Sequence, residues 1–331
     1  MISKNKRAFI LSAVAVAGAA AMTSPVWAQA TSAWPAKTVT IVVGFAAGGP
    51  TDFIARLLAE QLSKKFGQSF VIDNKAGAGG RVAAGLVKRA APDGYTLMLG
   101  SSSTLSMAQN LYKNLAYDSL RDFTAVGLVA SYPYFLTVPA SSSYLKLDDL
   151  LKKGVDPKST LSYGSAGMGT ANHLAGEWFK HEAKINATHI PYAGDAATIS
   201  DLIAGRLDFA FIAGAAARPQ VEAGKLRILA SASAVPGLGG DNVLTLGESR
   251  FKGFAAEPWN GVMAPAELPQ EIVVKLNNAI NEIMNRKDIV DRLAGIEQFP
   301  LTGTPLKFTS QIKEETVRWG TVIKNAGIKV E

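Results

Sequence analysis

Two glycine-rich loops, each following a predicted strand and leading straight into a helix start, hold the spacing in this chain best suited to a ligand. They are Phe45-Ala46-Ala47-Gly48-Gly49-Pro50-Thr51-Asp52 and Gly164-Ser165-Ala166-Gly167-Met168-Gly169-Thr170-Ala171-Asn172-His173. Glycine lets backbone come close to a guest. The free N–H groups of a first helical turn, with about half a positive charge of helix dipole behind them, favour an anion. Neither loop contains Lys or Arg. That tells against phosphate and a bidentate guanidinium clamp, and the remaining N–H and hydroxyl donors suit a carboxylate. Ser101 and Ser102, in the run Ser101 to Thr104, add hydroxyl donors, and Tyr192-Ala193-Gly194-Asp195 joins another strand to another helix start. Asp195 also has the residue type of a helix cap.

The same residues offer little to an enzyme. His173, His181 and His189 are eight apart, no H-E-x-x-H occurs and no carboxylates cluster around them, so surface or loop histidines account for them better than a metal site. Ser165 has Tyr163 two places earlier, where a hydrolase elbow needs glycine. Gly77-Ala78-Gly79-Gly80-Arg81-Val82 misses the G-x-G-x-x-G spacing, and no G-x-x-x-x-G-K-[ST] is present. Cysteine is absent, which excludes a disulfide framework, a thiol nucleophile and cysteine-based zinc or iron–sulfur sites. The expectation is a binding protein with no catalytic residue, cofactor or metal.

Loops of this kind need strands that end at them. Val39 to Val43 reads as a buried strand and Asp52 to Phe66 as a helix, capped by Thr51, with Phe53, Leu57, Leu58, Leu62 and Phe66 on one face. Ser69 to Asp73 and Tyr95 to Gly100 read as further strands, the second introduced by the turn Pro92-Asp93-Gly94. A second set comprises strand Leu161 to Gly164, a helix from about Thr170 to Glu182, strand Thr188 to Pro191, a helix from Asp195 to Gly205 and strand Leu207 to Ile212. Pro269 opens a helix with Ile272, Leu276, Ile280 and Ile283 at helical spacing. The alternation predicts an α/β protein with parallel sheets covered by helices. The expected arrangement is two α/β lobes joined by two crossing strands, with residues 31–134 and 259–331 in lobe 1 and 135–258 in lobe 2.

Residues 1–30 differ from the rest. Lys4, Lys6 and Arg7 precede the apolar run Ala8 to Met22, and Val26-Trp27-Ala28 or Ala28-Gln29-Ala30 suits cleavage, so a secretory signal peptide is expected. Its loss lowers the net charge from +7 to +4. The remaining cations are interspersed with acids, which gives no footprint for nucleic acid. At 331 residues, 48% hydrophobic and 18% charged, the chain has material for two ordinary domains and a core.

Several segments closely resemble the Bug family, the substrate-binding proteins of tripartite tricarboxylate transporters. They are Trp34-Pro35, Phe45 to Asp52 with Ala55-Arg56, Val71-Ile72-Asp73-Asn74-Lys75-Ala76-Gly77-Ala78-Gly79-Gly80 and Ala91-Pro92-Asp93-Gly94-Tyr95-Thr96-Leu97. Tyr163 to Glu177, His189-Ile190-Pro191-Tyr192 and Ala223-Gly224-Lys225-Leu226-Arg227 continue the likeness in the family's order over essentially the whole mature chain. The resemblance implies a periplasmic binding-protein fold whose cleft closes on a dicarboxylate, tricarboxylate, acidic amino acid or aromatic acid, held through backbone groups and ordered water. It implies contacts from Phe45, Ala46, Ala47, Gly48, Gly49, Thr51 and Asp52 on lobe 1. On lobe 2 it implies Ser165, Ala166, Gly167, Thr170, Asn172, His173, Tyr192, Gly194 and Asp195.

The implied partners are a small organic carboxylate and the subunits of a tripartite tricarboxylate-type membrane transporter, reached by a periplasmic monomer that binds no nucleic acid. A sensor subunit for a membrane kinase and a secreted hydrolase are the alternatives. Ile212-Ala213-Gly214 replaces an acidic or amide pair frequent in relatives, which favours a ligand with an apolar or aromatic body. The stretch Val235 to Asp241 departs as well, and Trp259 fits either the cleft or the core.

Overall fold

The computed structural model describes residues 34–238 and 243–330. The expected signal peptide, and residues 239–241 of the departing stretch, lie outside the described residues. Among the described residues the strands form two sheets. One has the order β11-β4-β10-β3-β1-β2, with β1 (Val39–Val43), β2 (Phe70–Asn74), β3 (Thr96–Ser101), β4 (Phe123–Ser131), β10 (Trp259–Pro265) and β11 (Phe299–Pro300). The other has the order β7-β6-β8-β5-β9, with β5 (Tyr134–Pro139), β6 (Leu161–Ser165), β7 (Ala187–Pro191), β8 (Phe209–Ala213) and β9 (Leu226–Ser231). The protein is thus α/β with two lobes, one on each sheet.

Within the first sheet β1, β2 and β3 are parallel, and so are β6, β7 and β8 in the second. Val39, Ile41, Val42 and Val43 are all buried, as expected of a strand covered on both faces. The sheets are nevertheless mixed, a departure from the expected parallel arrangement. β10 runs antiparallel to β3 and β4, and β5 antiparallel to β8 and β9. A parallel neighbour needs a crossover connection, usually a helix. β5 enters its sheet straight from β4, with only Tyr132 and Pro133 between them, so no crossover sets its direction.

The return crossing lies beside that short link. Tyr132 N–H donates to Pro258 O at 3.1 Å, Ala232 N–H to Tyr134 O at 2.8 Å and Ala256 N–H to Ala232 O at 2.8 Å. Two main-chain segments therefore pass side by side between the lobes, next to Tyr132 in the link and Tyr134 at the start of β5.

Helices pack on both sheets. α1 (Pro50–Phe66) starts one residue before Thr51, with Gly49 at the cap position, so Thr51 sits inside the first turn. Its core face uses Ile54, Leu57, Leu58 and Leu62, and the expected Phe53 and Phe66 flank it half-buried. α2 (Arg81–Lys88) follows β2, and α3 (Ala171–Ala183), α4 (Asp195–Ile203) and α5 (Gly214–Glu222) belong to the second lobe. α6 (Gln270–Met284) buries Ile272, Leu276, Ile280 and Ile283 as the spacing predicts.

α7 (Pro305–Asn325), capped by the Thr304 side chain, buries Phe308, Ile312, Trp319 and Ile323 against the first lobe. Trp319 meets Trp178 of α3 edge to face, with ring centroids 5.7 Å apart, so an indole pair bridges the lobes. Arg218 of α5 forms an ion pair with Glu297, next to β11, across the same boundary. Trp259 is a core residue, edge on to Phe308.

Candidate functional site

The carboxyl ends of five parallel strands face one another across the lobe boundary and enclose a cavity of about 790 Å3. In open α/β sheets ligands collect at these ends. The lining from the first expected loop comprises Phe45, Ala46, Ala47, Gly48, Gly49 and Thr51, and Ser101 follows from β3. The second lobe contributes Ala166, Gly167, Thr170 and Asn172 from the loop after β6, and Tyr192, Gly194 and Asp195 from the loop after β7. Sequence-distant loops thus converge on one space.

Four expected contacts do not line it. Asp52 is buried and turned back, accepting hydrogen bonds from Gly48 N–H at 3.0 Å, Arg56 Nε at 2.8 Å and Asn74 Nδ2 at 2.9 Å. Burial pushes its carboxyl up, but the bonds from Arg56, Gly48 and Asn74 outweigh this and hold it below the usual value. Asn74 Nδ2 also reaches Phe45 O at 3.0 Å. Asp52 therefore shapes the loop from behind. Ser102 points into the core, where its hydroxyl is buried, and the neighbouring Ser103 lines the cavity instead.

Ser165 and His173 lie beneath the second loop. The Ser165 hydroxyl bonds Gly167 O at 3.1 Å and meets His189 Nε2 at 2.7 Å. Here is a serine–imidazole pair that the sequence did not reveal, since 24 residues separate its members. The hydroxyl is fully buried outside the cavity lining, which denies it a substrate. His173 Nδ1 accepts the Gly169 N–H at 3.2 Å, and its ring lies 4.1 Å from that of His189. His173 is buried and His189 half-buried. Burial lowers His173 to about 4, and burial together with repulsion from His173 lowers His189 to about 3, so both rings are neutral.

The helix start of α3 is also less open than expected. Ala171 N–H donates across the lobe boundary to Ser103 Oγ at 2.9 Å, and His173 N–H donates to Asn172 Oδ1 at 3.1 Å. Short polar side chains already hold these two amides, as capping residues do. Asp195 is the first residue of α4, with Gly194 at the cap position, so it is not the cap that its type suggested. Its Oδ1 accepts from Asn172 Nδ2 at 3.0 Å. Burial pushes its carboxyl up to about 6 against that hydrogen bond.

The loop after β2 completes the cavity. Gly77, Ala78, Gly79 and Arg81 line it, and Arg81 supplies the guanidinium that the first two loops lack. Its Nε donates to Ala78 O at 2.9 Å, and the guanidinium carbon sits 3.4 Å from the centre of the Tyr112 ring, a cation–π stack. Tyr132 and Tyr134 form the floor, where Tyr132 pairs with Thr51 and Tyr134. Tyr192 turns its hydroxyl away to Asp201, at 2.7 Å, and leaves its ring to the cavity. Among the described residues no group of His, Asp or Glu side chains is placed to hold a metal ion.

Residues 54–328 match the family model for the tripartite tricarboxylate transporter family receptor. The chain belongs to this receptor family. Protein BugT of Bordetella pertussis is 32% identical over 319 residues, 96% of each chain, in keeping with the Bug likeness. Among solved structures, R. palustris Rpa4515 with adipate is 35% identical with a TM-score of 0.85, over 89% of this chain and 99% of that one. MatC (Rpa3494) from Rhodopseudomonas palustris with bound malate is 32% identical with a TM-score of 0.80, over 87% and 99%. A tripartite tricarboxylate transporter family receptor is a solute-binding protein and not an enzyme, which agrees with a serine–histidine pair kept out of the cavity.

Proposed function

We propose that the chain is exported to the periplasm, captures a small carboxylate in the interlobe cavity and delivers it to a tripartite tricarboxylate-type membrane transporter. The observation that carries this reading is one cavity, built where parallel strands of both lobes end, with a fixed guanidinium in its wall and the buried serine outside it. The relatives solved with adipate and malate support a carboxylate guest. The basic, apolar and small-residue succession of residues 1–30 supports export, and no helix among the described residues is long and apolar enough to cross a membrane.

Arg81 is the carboxylate's counter-charge in this reading, with backbone groups of Phe45 to Gly49 and Ala166 to Gly167 around it. A guest touching both lobes binds the closed arrangement better than the open one and shifts the population accordingly. At about 100 times its dissociation constant, such a guest adds roughly 2.7 kcal/mol of stability. A panel of di-, tri- and aromatic carboxylates screened by thermal melting is therefore expected to contain acids that raise the melting temperature. Arg81→Ala is expected to weaken those acids by roughly 10- to 100-fold, the scale of a lost charge-assisted hydrogen bond. Purified mature protein whose melting no acid moves would rule the reading out.

A further inference from the structure

Among the described residues, Arg81 and Asp195 are the two charged side chains in the cavity lining, one from each lobe. Asp195 is unexpected in a receptor for anions. It is also rigidly aimed: the Asn172 amide that holds Oδ1 is itself oriented by the His173 N–H on its oxygen, at 3.1 Å. The other oxygen, Oδ2, accepts no hydrogen bond among the described residues. It faces the first lobe, 3.8 Å from where a Cβ on Gly49 would lie. Tyr132 and Tyr134, on the crossing, feel its charge, and among the described residues no lysine or arginine of the second lobe lines the cavity beside it.

We propose that Asp195 is a specificity-determining residue: it selects carboxylates that also carry a hydrogen-bond donor, an ammonium or hydroxyl group, over plain dicarboxylates of the same length. This rests on the carboxylate reading above. A guest bringing only acceptors places a second negative charge near Oδ2 in a space with one guanidinium. Like charges brought together in a cavity closed over a guest repel more than they do in open water. A guest with a donor instead gives Oδ2 the partner it lacks. The result is a cavity with a cationic end on lobe 1 and an acceptor end on lobe 2, which fixes both the chemistry and the direction of the guest.

The test is calorimetric titration of the full mature chain and of Asp195→Asn with two matched pairs, glutarate against glutamate and succinate against malate, at pH 7.5. The wild type is expected to prefer the donor-bearing member at least tenfold in one pair or both. Asp195→Asn, which keeps the shape and loses the charge, is expected to shrink that preference at least tenfold, chiefly by tightening the plain dicarboxylate. Carboxylate binding with no such preference, or with a ratio unchanged in the variant, overturns the selection alone and confines Asp195 to favouring the start of α4. If neither form binds any member and no other acid raises the melting temperature, the carboxylate reading itself fails and takes the selection with it.

Discussion

Lowering the pH from 7.5 to 5 is expected to destabilise this protein by about 2–4 kcal/mol through His173 and His189, the lower end allowing for solvent screening of the half-buried His189. Both rings are kept neutral by burial, at about 4 and about 3, whereas an exposed imidazole titrates near 6.5. Between those limits the unfolded chain binds more protons than the folded one, so stability falls as pH falls. The contribution is complete above about pH 6.5 and is lost progressively toward pH 4, at up to about 1.4 kcal/mol per pH unit for each ring.

The geometry says where the damage begins. Gly169 N–H donates to His173 Nδ1, so a proton arriving on that nitrogen sets donor against donor at the loop that walls the cavity. Urea midpoints followed from pH 7.5 to 5 should fall steeply in the wild type. In His189→Phe, whose ring can stay between Tyr163 and His173 but cannot titrate, the slope should be about half. Equal midpoints at both ends of the range would show that the rings are not buried neutral.

Gly80→Ala is expected to cost about 2–4 kcal/mol and to weaken any guest of the cavity. Gly80 has φ 89°, a left-handed conformation that strains a side chain, and a Cβ there would overlap the Thr104 hydroxyl. The backbone cannot retreat, because its Cα already stands 2.6 Å from where a Cβ on Gly44 would be. Thr104 Oγ1 in turn bonds Gly79 O at 3.1 Å, so relieving the overlap displaces the loop that carries Arg81. Adding Thr104→Ala should recover the overlap part of the loss and leave the backbone strain. A double-mutant cycle on thermal melts separates the two. A Gly80→Ala protein that melts with the wild type would contradict this packing.

The parts of the site visible in the sequence are those encoded by backbone demands. Glycines at 48, 167 and 194 have positive φ, and each stands between a strand and a helix, so their loops could be found one by one. What the sequence hid depends on partners far along the chain. Asp52 turns away from the cavity because Asn74 lies behind it, and Arg81 enters the cavity wall because Tyr112 gives it a face to stack on.

His173 and His189 read as surface residues since neither sits in an apolar run, yet their rings pack on one another beneath the second loop. The fold divides the same way. β1 and α6 follow their periodicity, whereas the antiparallel course of β5 and β10 follows from which lobe the chain has just left. No local pattern records that history. α7 is likewise hard to read from the sequence, because exposed Leu306 and Val317 blur its apolar stripe.

The indole pair at the lobe boundary gives the molecule an optical gauge of its own. Two perpendicular tryptophans 5.7 Å apart couple their electronic transitions, and Trp178 and Trp319 ride on helices of opposite lobes. A rotation of a few degrees about the Tyr132–Pro133 link alters that coupling. The circular dichroism of the unlabelled protein therefore responds to lobe rotation, and one titration can follow capture and movement together.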